Sequence, residues 1–148
     1  QQYWLTPFLY YLLENEKLSD EQILEELEKI DNLMLPGDKK EISLELISQV
    51  KRNEKIDLNV LSILNESHGT SFQHYWFYKL EYLLWKIWDK NDSRVKQFRI
   101  TSKNSVEHVF PQNHEFGNKL ANSEFDWLNS FGNLGLLSVG ENSSYNNQ

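Results

Sequence analysis

Three short stretches near the C-terminal end carry residues able to do chemistry. They are Glu107-His108-Val109-Phe110-Pro111-Gln112, Gly132-Asn133-Leu134-Gly135-Leu136-Leu137, and Asn142 a few residues on. A neutral imidazole at His108 can take a proton from water if its pKa lies near the working pH. The Glu107 carboxylate and an asparagine amide oxygen are hard ligands, suited to Mg²⁺ or Mn²⁺ rather than to a softer ion. Asn133, between them in sequence, can tie down the loop that aims His108. Together these residue types suit metal-assisted hydrolysis.

The same stretches resemble the C-terminal domain of GmrSD-type modification-dependent restriction endonucleases, an offshoot of the HNH (ββα-metal) nuclease superfamily. That family reads Glu-His-Ile-x-Pro-Gln, then Gly-Asn-Leu-x-Leu-Leu, then an asparagine on the following helix; Val109 replaces the isoleucine here. The interval from Asn133 to Asn142 is also similar to that in the HNH domains of RNA-guided CRISPR nucleases. The resemblance implies phosphodiester hydrolysis of DNA. His108 would be the general base, Asn133 would hold it in place, and Glu107 and Asn142 would ligate the cation. Gln112 belongs to the same motif, in a supporting or substrate-contacting role. The resemblance also implies a restriction or phage-defence protein whose N-terminal NTP-hydrolysing domain lies outside this chain. Two rivals follow: an RNA-directed nuclease, and a non-catalytic HNH-like module that binds nucleic acid or protein.

Each residue also has a plainer role. Asn142 alone would read as a helix N-cap, and one amide oxygen cannot easily both cap and ligate. Asn146, four residues later on the same helical face, is a second candidate ligand. Glu107 and His108 are neighbours, so a regular strand would send them to opposite faces; serving one site requires a bend before Pro111. His114 can reach the phosphate or the ion, or can be an exposed loop residue. Arg99 and Lys103 can contact backbone phosphates, which positions DNA without reading its sequence.

These residues need elements to hold them. Residues 4–13 are expected to form a helix, with Pro7 tolerated in its first turn. Ser19-Asp20-Glu21-Gln22 is a capping box opening a helix with Ile23, Leu24, Leu27 and Ile30 on one face. Pro36-Gly37 ends it. A third helix is expected over 39–52, and a short one over 58–64 capped by Asp57. Residues 71–90 hold twelve aliphatic and aromatic residues spread around the helix, which predicts a central, largely buried helix. A strand is expected at 98–101 from its alternation, and another at 105–109, ended by Pro111. An excursion over 113–130 includes a short helix around Phe125, Trp127 and Leu128. A second strand at 134–137 and a helix from Glu141 complete the unit.

The expected architecture is therefore mainly α, with a helical region over 1–96 and a small ββα-metal unit over 97–148. Five Trp, seven Tyr and eight Phe in 148 residues supply ample apolar area for a core. The absence of cysteine excludes disulfides and thiolate zinc sites and agrees with a cytoplasmic location. The opening Gln1-Gln2-Tyr3-Trp4 has neither a start methionine nor a signal-peptide layout and reads as part of a longer protein. The terminal Asn146-Asn147-Gln148 reads as a truncated metal-site helix. A net charge of −7 argues against a broadly basic nucleic-acid surface. Residues 14–45 are strongly acidic, whereas Lys86, Lys90, Arg94, Lys96, Arg99 and Lys103 form a local basic run just ahead of the motif.

Overall fold

A computed structural model describes residues 2–35, 43–53, 59–100, 103, 105–110 and 126–145. The chain divides into two compact units, Gln1–Asn59 and Val60–Gln148. The expected division after residue 96 falls inside the second unit. The reason is packing: the aromatic helix assigned to the helical region forms the floor beneath the small sheet.

The first unit contains three mutually packed helices, α1 (Leu5–Glu14), α2 (Asp20–Met34) and α3 (Ser43–Lys51). Pro7 sits in the first turn of α1, where a missing N–H removes no intrahelical bond. Ser19 opens α2 with a reciprocal capping box. Its backbone N–H donates to Gln22 Oε1 at 2.9 Å, and its hydroxyl accepts from Gln22 N at 3.3 Å. The buried stripe of α2 runs through Glu26, Ile30 and Leu33, rotated from the Ile23-Leu24-Leu27-Ile30 face that hydrophobicity alone suggests. Leu46 of α3 is fully buried, and Lys51 Nζ donates to the Tyr10 hydroxyl at 2.6 Å to tie α3 to α1. Pro36, Gly37, Asp57 and the first residues expected in the third helix lie outside the described residues.

The second unit begins with α4 (Val60–Leu64) and a 3₁₀ turn at Gly69–Ser71. Helices α5 (His74–Ile87) and α6 (Ser93–Gln97) follow, then strand β1 (Ser105–His108). Two 3₁₀ turns, Asp126–Asn129 and Phe131–Asn133, lead into β2 (Leu134–Leu137) and α7 (Val139–Tyr145). Strands β1 and β2 pair antiparallel with Ser105 opposite Leu137, Val106 opposite Leu136, Glu107 opposite Gly135 and His108 opposite Leu134.

Two strands with four pairs are marginal by themselves. Here one face of the ladder is buried through Val106, Leu134 and Leu136, in a core shared with Phe72, Trp76, Phe77 and Leu128. The Phe131 ring joins it at 4.7 Å from Phe77 and 5.3 Å from Phe72, centroid to centroid.

The sequence pattern overstates the burial of α5. Only Trp76 and Phe77 are buried, while Leu80, Leu83 and Leu84 are more than 40% exposed and Ile87 is 80% exposed. Apolar residues ring the helix, but a two-stranded sheet covers one side of it. The expected strand at 98–101 is also absent where it is described: residues 98–100 are irregular, and the chain before them turns once as α6. Asp92 starts that helix, accepting from Arg94 N at 2.8 Å and pairing with the same residue's guanidinium at 2.6 Å. Val95 is thereby buried. The excursion expected to hold a short helix shows a 3₁₀ turn at Asp126–Asn129, and Phe125 lies outside the described residues. No helix among the described residues is long and apolar enough to cross a membrane.

The Arg94 hydrogen bonds hold the Asp92 carboxyl at about 2, below its ordinary 3.8. A depressed folded-state pKa contributes stability that is present above the unfolded value and lost as pH falls through the folded one. The α6 cap should therefore survive acidification through the usual carboxylate range and open only near pH 2. A carboxyl-detected NMR titration of Asp92 checks this; a midpoint near 3.8 would show that the pair does not hold in solution.

Candidate functional site

Strand β1 is regular through His108, and the chain bends at Val109 and Phe110. A bend does precede Pro111, but it follows both functional residues and does not bring them to one face. Glu107 lies on the face with Ser105, and His108 on the face with Val106. This corrects the expectation that one bend would aim both side chains into a common space.

On the Glu107 face the partner is α7. Ser138 caps this helix: its N–H donates to Glu141 Oε2 at 2.7 Å, and its hydroxyl accepts from Glu141 N at 3.3 Å. These bonds, with Lys103 nearby, hold the Glu141 carboxyl below its usual range. The competing roles of Asn142 are thereby separated. Ser138 does the capping, and Asn142 lies inside the first turn with its side chain turned to the strand. Its Nδ2 donates to Glu107 Oε1 at 2.8 Å and to Ser105 Oγ at 3.1 Å. Ser105 Oγ also donates to Glu107 Oε1. A carboxylate, an amide and a hydroxyl thus meet from positions 105, 107 and 142.

On the other face His108 Nε2 lies 2.9 Å from Asn129 Oδ1. An amide oxygen only accepts, so Nε2 carries the proton and the neutral ring's lone pair is on Nδ1. Asn129 is itself backed by Gly69. That residue has a φ of +54°, a region L side chains rarely adopt, and a Cβ there would stand 3.0 Å from Asn129 Oδ1. Glycine is favoured at this position on two counts, by conformation and by space.

Asn133 is 7% exposed and joins the two halves of this face. Its backbone carbonyl accepts from Val109 N at 2.8 Å. Its side-chain oxygen accepts from Phe110 N at 2.9 Å, and its Nδ2 donates to Leu128 O at 2.8 Å and Phe110 O at 3.3 Å. The chain immediately after His108 and the turn that carries Asn129 are thus fastened to one buried amide.

The other candidates lie elsewhere. Lys103 is engaged: Nζ pairs with Glu81 at 2.5 Å, and its backbone N–H and C=O bond the Tyr78 hydroxyl at 3.0 and 3.1 Å. Its charge is offset within the fold, so it serves chiefly to fasten the chain ahead of β1 onto α5. Arg99 donates to the Lys96 and Phe98 carbonyls and lines a cleft beside α5. Gln112, His114 and Asn146 lie outside the described residues. Sequence reasoning missed Asn129, Ser105 and Gly69. Ser105 had a legible signal, two residues before Glu107 and so on the same strand face; Asn129 had none.

The chemistry open to this arrangement follows from its donors. Glu107 and Ser105 present oxygen and Asn142 its Nδ2, and rotating the Asn142 amide about its last bond would turn Oδ1 toward the Glu107 side instead. That set fits a hard cation that keeps several waters and completes its shell with phosphate oxygens. Among the described residues no three His, Cys, Asp and Glu gather into a metal-binding group, so an all-protein cage is not what these residues form.

The family model for the C-terminal domain of GmrSD restriction endonucleases matches residues 59–148, which is the second compact unit. No curated protein and no solved structure matches the chain.

Replacing Asn133 with alanine removes the acceptor of Phe110 N and the donor to the buried Leu128 carbonyl and the half-buried Phe110 carbonyl. The expected loss is about 2–4 kcal/mol of stability, from unsatisfied backbone groups. Urea unfolding of the Asn133→Ala variant measures it. A change under about 0.5 kcal/mol, the range of ordinary surface substitutions, would show that the amide is not a clamp.

Proposed function

Because the chain belongs to the family of the C-terminal domain of GmrSD restriction endonucleases, we propose that its second unit is the DNA-cleaving, ββα-metal nuclease part of a restriction protein. We assign His108 as general base and Glu107 and Asn142 as ligands for Mg²⁺ or Mn²⁺. The observation that carries this assignment is the 2.8 Å contact between Glu107 and Asn142, made across 35 positions of sequence and on the face of β1 opposite His108.

The division between faces suits in-line hydrolysis. The attacking water and the departing 3′ oxygen stand on opposite sides of the phosphorus. The group that activates one and the groups that stabilise the other must also approach from opposite sides. Consecutive strand residues achieve this with no further machinery. Among the described residues β1 has one strand neighbour, β2, so a phosphate at its other edge would lie between the two sets.

His108 then takes the water proton on Nδ1, while Asn129 keeps the ring in the tautomer that leaves this nitrogen basic. Asn133 keeps the imidazole from swinging away by fixing the backbone on its C-terminal side. Glu107 and Asn142 supply negative charge and an amide oxygen for the cation, with Ser105 orienting the carboxylate. A bound Mg²⁺ or Mn²⁺ would contribute charge stabilisation at the phosphate and the leaving oxygen.

Two variants in the full-length protein test the assignment separately. His108→Ala should lower the DNA cleavage rate by about 10²- to 10⁴-fold, the usual contribution of a general base, and leave Mn²⁺ binding unchanged. Glu107→Gln should lose Mn²⁺ binding, read by electron paramagnetic resonance, as well as cleavage. Wild-type cleavage by His108→Ala removes the base. Undiminished Mn²⁺ binding by Glu107→Gln removes the ligand.

A further inference from the structure

A cleft of about 540 Å³ lies in the second unit between the C-terminal half of α5 and the segment over 90–100. Its volume falls within the range of roughly 300–1,000 Å³ typical of small-ligand sites. Tyr82, Trp85 and Phe98 supply half-buried aromatic walls, and buried Val95 of α6 lies among them. Lys90, Lys96 and Arg99 ring it with exposed cations. The acid-base balance elsewhere sharpens this contrast. The first unit holds thirteen acidic against seven basic residues, and the second nine against eight. Within the basic run, Arg94 pairs with Asp92 and Lys103 with Glu81. None of the three cations at the cleft has a carboxylate partner among the described residues.

Half-buried rings edged by unpaired positive charge are what an unstacked base with flanking phosphates requires. The aromatic face takes any base, and the cations follow the backbone. We propose that this cleft receives an unpaired nucleobase of the DNA substrate, stacked on Tyr82, Trp85 and Phe98, with Lys90, Lys96 and Arg99 on the adjoining phosphates. The proposal rests on the nuclease assignment for its choice of DNA. The Lys90 ammonium stands 3.6 Å from the Trp85 ring centroid and donates to the Trp85 carbonyl. An exposed cation–π contact is weaker than a base stack, so the base displaces the ammonium, which turns to a phosphate.

The cleft is also joined to the catalytic strand. The Tyr78 hydroxyl holds Lys103 by both backbone groups, and β1 begins two residues later. Seven residues separate Ile100 at the cleft from Glu107, a span of at most about 25 Å. A strand of DNA covers that distance in about seven nucleotides at 3.4 Å per step. A base held in the cleft therefore lies within about seven nucleotides of the phosphate at β1. Stacking is sequence-tolerant, so the cleft selects for an unpaired or extruded base rather than for a particular one.

The test uses this chain and short oligodeoxynucleotides with 2-aminopurine at one position, whose fluorescence is quenched on stacking. Single-stranded DNA should bind with quenching and more tightly than the same sequence in a duplex. Trp85→Ala should weaken that binding about 10- to 100-fold. Trp85→Phe should retain most of it, and an abasic site at the probe position should weaken it as Trp85→Ala does. The doubly substituted Lys96→Glu, Arg99→Glu variant alters exposed side chains only and should also lose binding, which keeps the test decisive if Trp85→Ala fails to fold. Equal affinity for abasic and intact strands, or undiminished binding by the charge-reversed variant, overturns the proposal. Tighter binding of the matching oligoribonucleotide overturns the choice of DNA. His108→Ala should bind as the wild type does, so an absence of cleavage by the wild-type protein would sink the nuclease assignment while leaving the binding result standing.

Discussion

The amide of Asn133 reaches two pieces of backbone that the β ladder leaves unpaired. One is Phe110, just past the end of β1, and the other is Leu128 in the turn before β2. Both lie where the chain must leave regular structure to present side chains; Leu128 is buried there and Phe110 half-buried. Without a partner each carbonyl and N–H there would destabilise the fold by an amount comparable to a lost hydrogen bond. A single planar group with one acceptor and two donors satisfies them together. His108 is placed by this bond set because it is trapped between a ladder that ends at its own residue and a clamp two residues later. Asn129 is placed by it too, since it follows Leu128 directly.

The face of β1 that carries His108 is also the face that packs on the aromatic core. Gly69 shows how tightly that side is drawn. Its left-handed conformation brings backbone so close to Asn129 that a Cβ there would press on the Asn129 amide at 3.0 Å. Phe72, three residues on, is buried against Phe77 and Phe131, so the turn that backs Asn129 is anchored in the core. The opposite face carries Ser105 and Glu107, met by the Asn142 amide. His108 and Glu107 thus inherit different surroundings from the same four-residue strand, one stiff and partly apolar, the other polar and closed by α7.

Much of this was legible from residue type and spacing. The capping box at Ser19 and strands β1 and β2 follow from local rules, and Glu107 and Asn142, singled out by residue type and spacing, do meet. What local rules missed are relations between distant positions. Asn129 meets His108 across 21 residues, and nothing in the sequence near either announces it. The periodicity of α5 reported an apolar helix correctly, but periodicity measures what a helix offers, not what covers it. The boundary expected after residue 96 lies inside the second unit for the same reason: α5 meets the turn before β2 through the Phe77 and Phe131 rings, 4.7 Å apart and from segments over fifty positions apart. The strand expected near 98–101 failed because alternation over four residues is weak evidence beside Asp92, whose cap starts α6 instead and leaves the chain irregular after it.

A chain with a net charge of −7 is an unpromising partner for a polyanion if charge is taken as a whole. Screening makes the whole a poor guide: beyond about 10 Å at moderate ionic strength a charged group has little say in what happens at another surface. The acidic excess is concentrated in the first unit, and the second is close to neutral. Within it two of the six cations ahead of β1 are matched to carboxylates and hold structure, and three are gathered around aromatic rings. Few phosphate contacts mean little counterion release, so affinity must come from elsewhere. Rings supply it, because stacking depends on contact area rather than on charge. A near-neutral second unit with an aromatic cleft is therefore physically coherent with a polyanionic partner: base stacking offers affinity where the electrostatic balance does not.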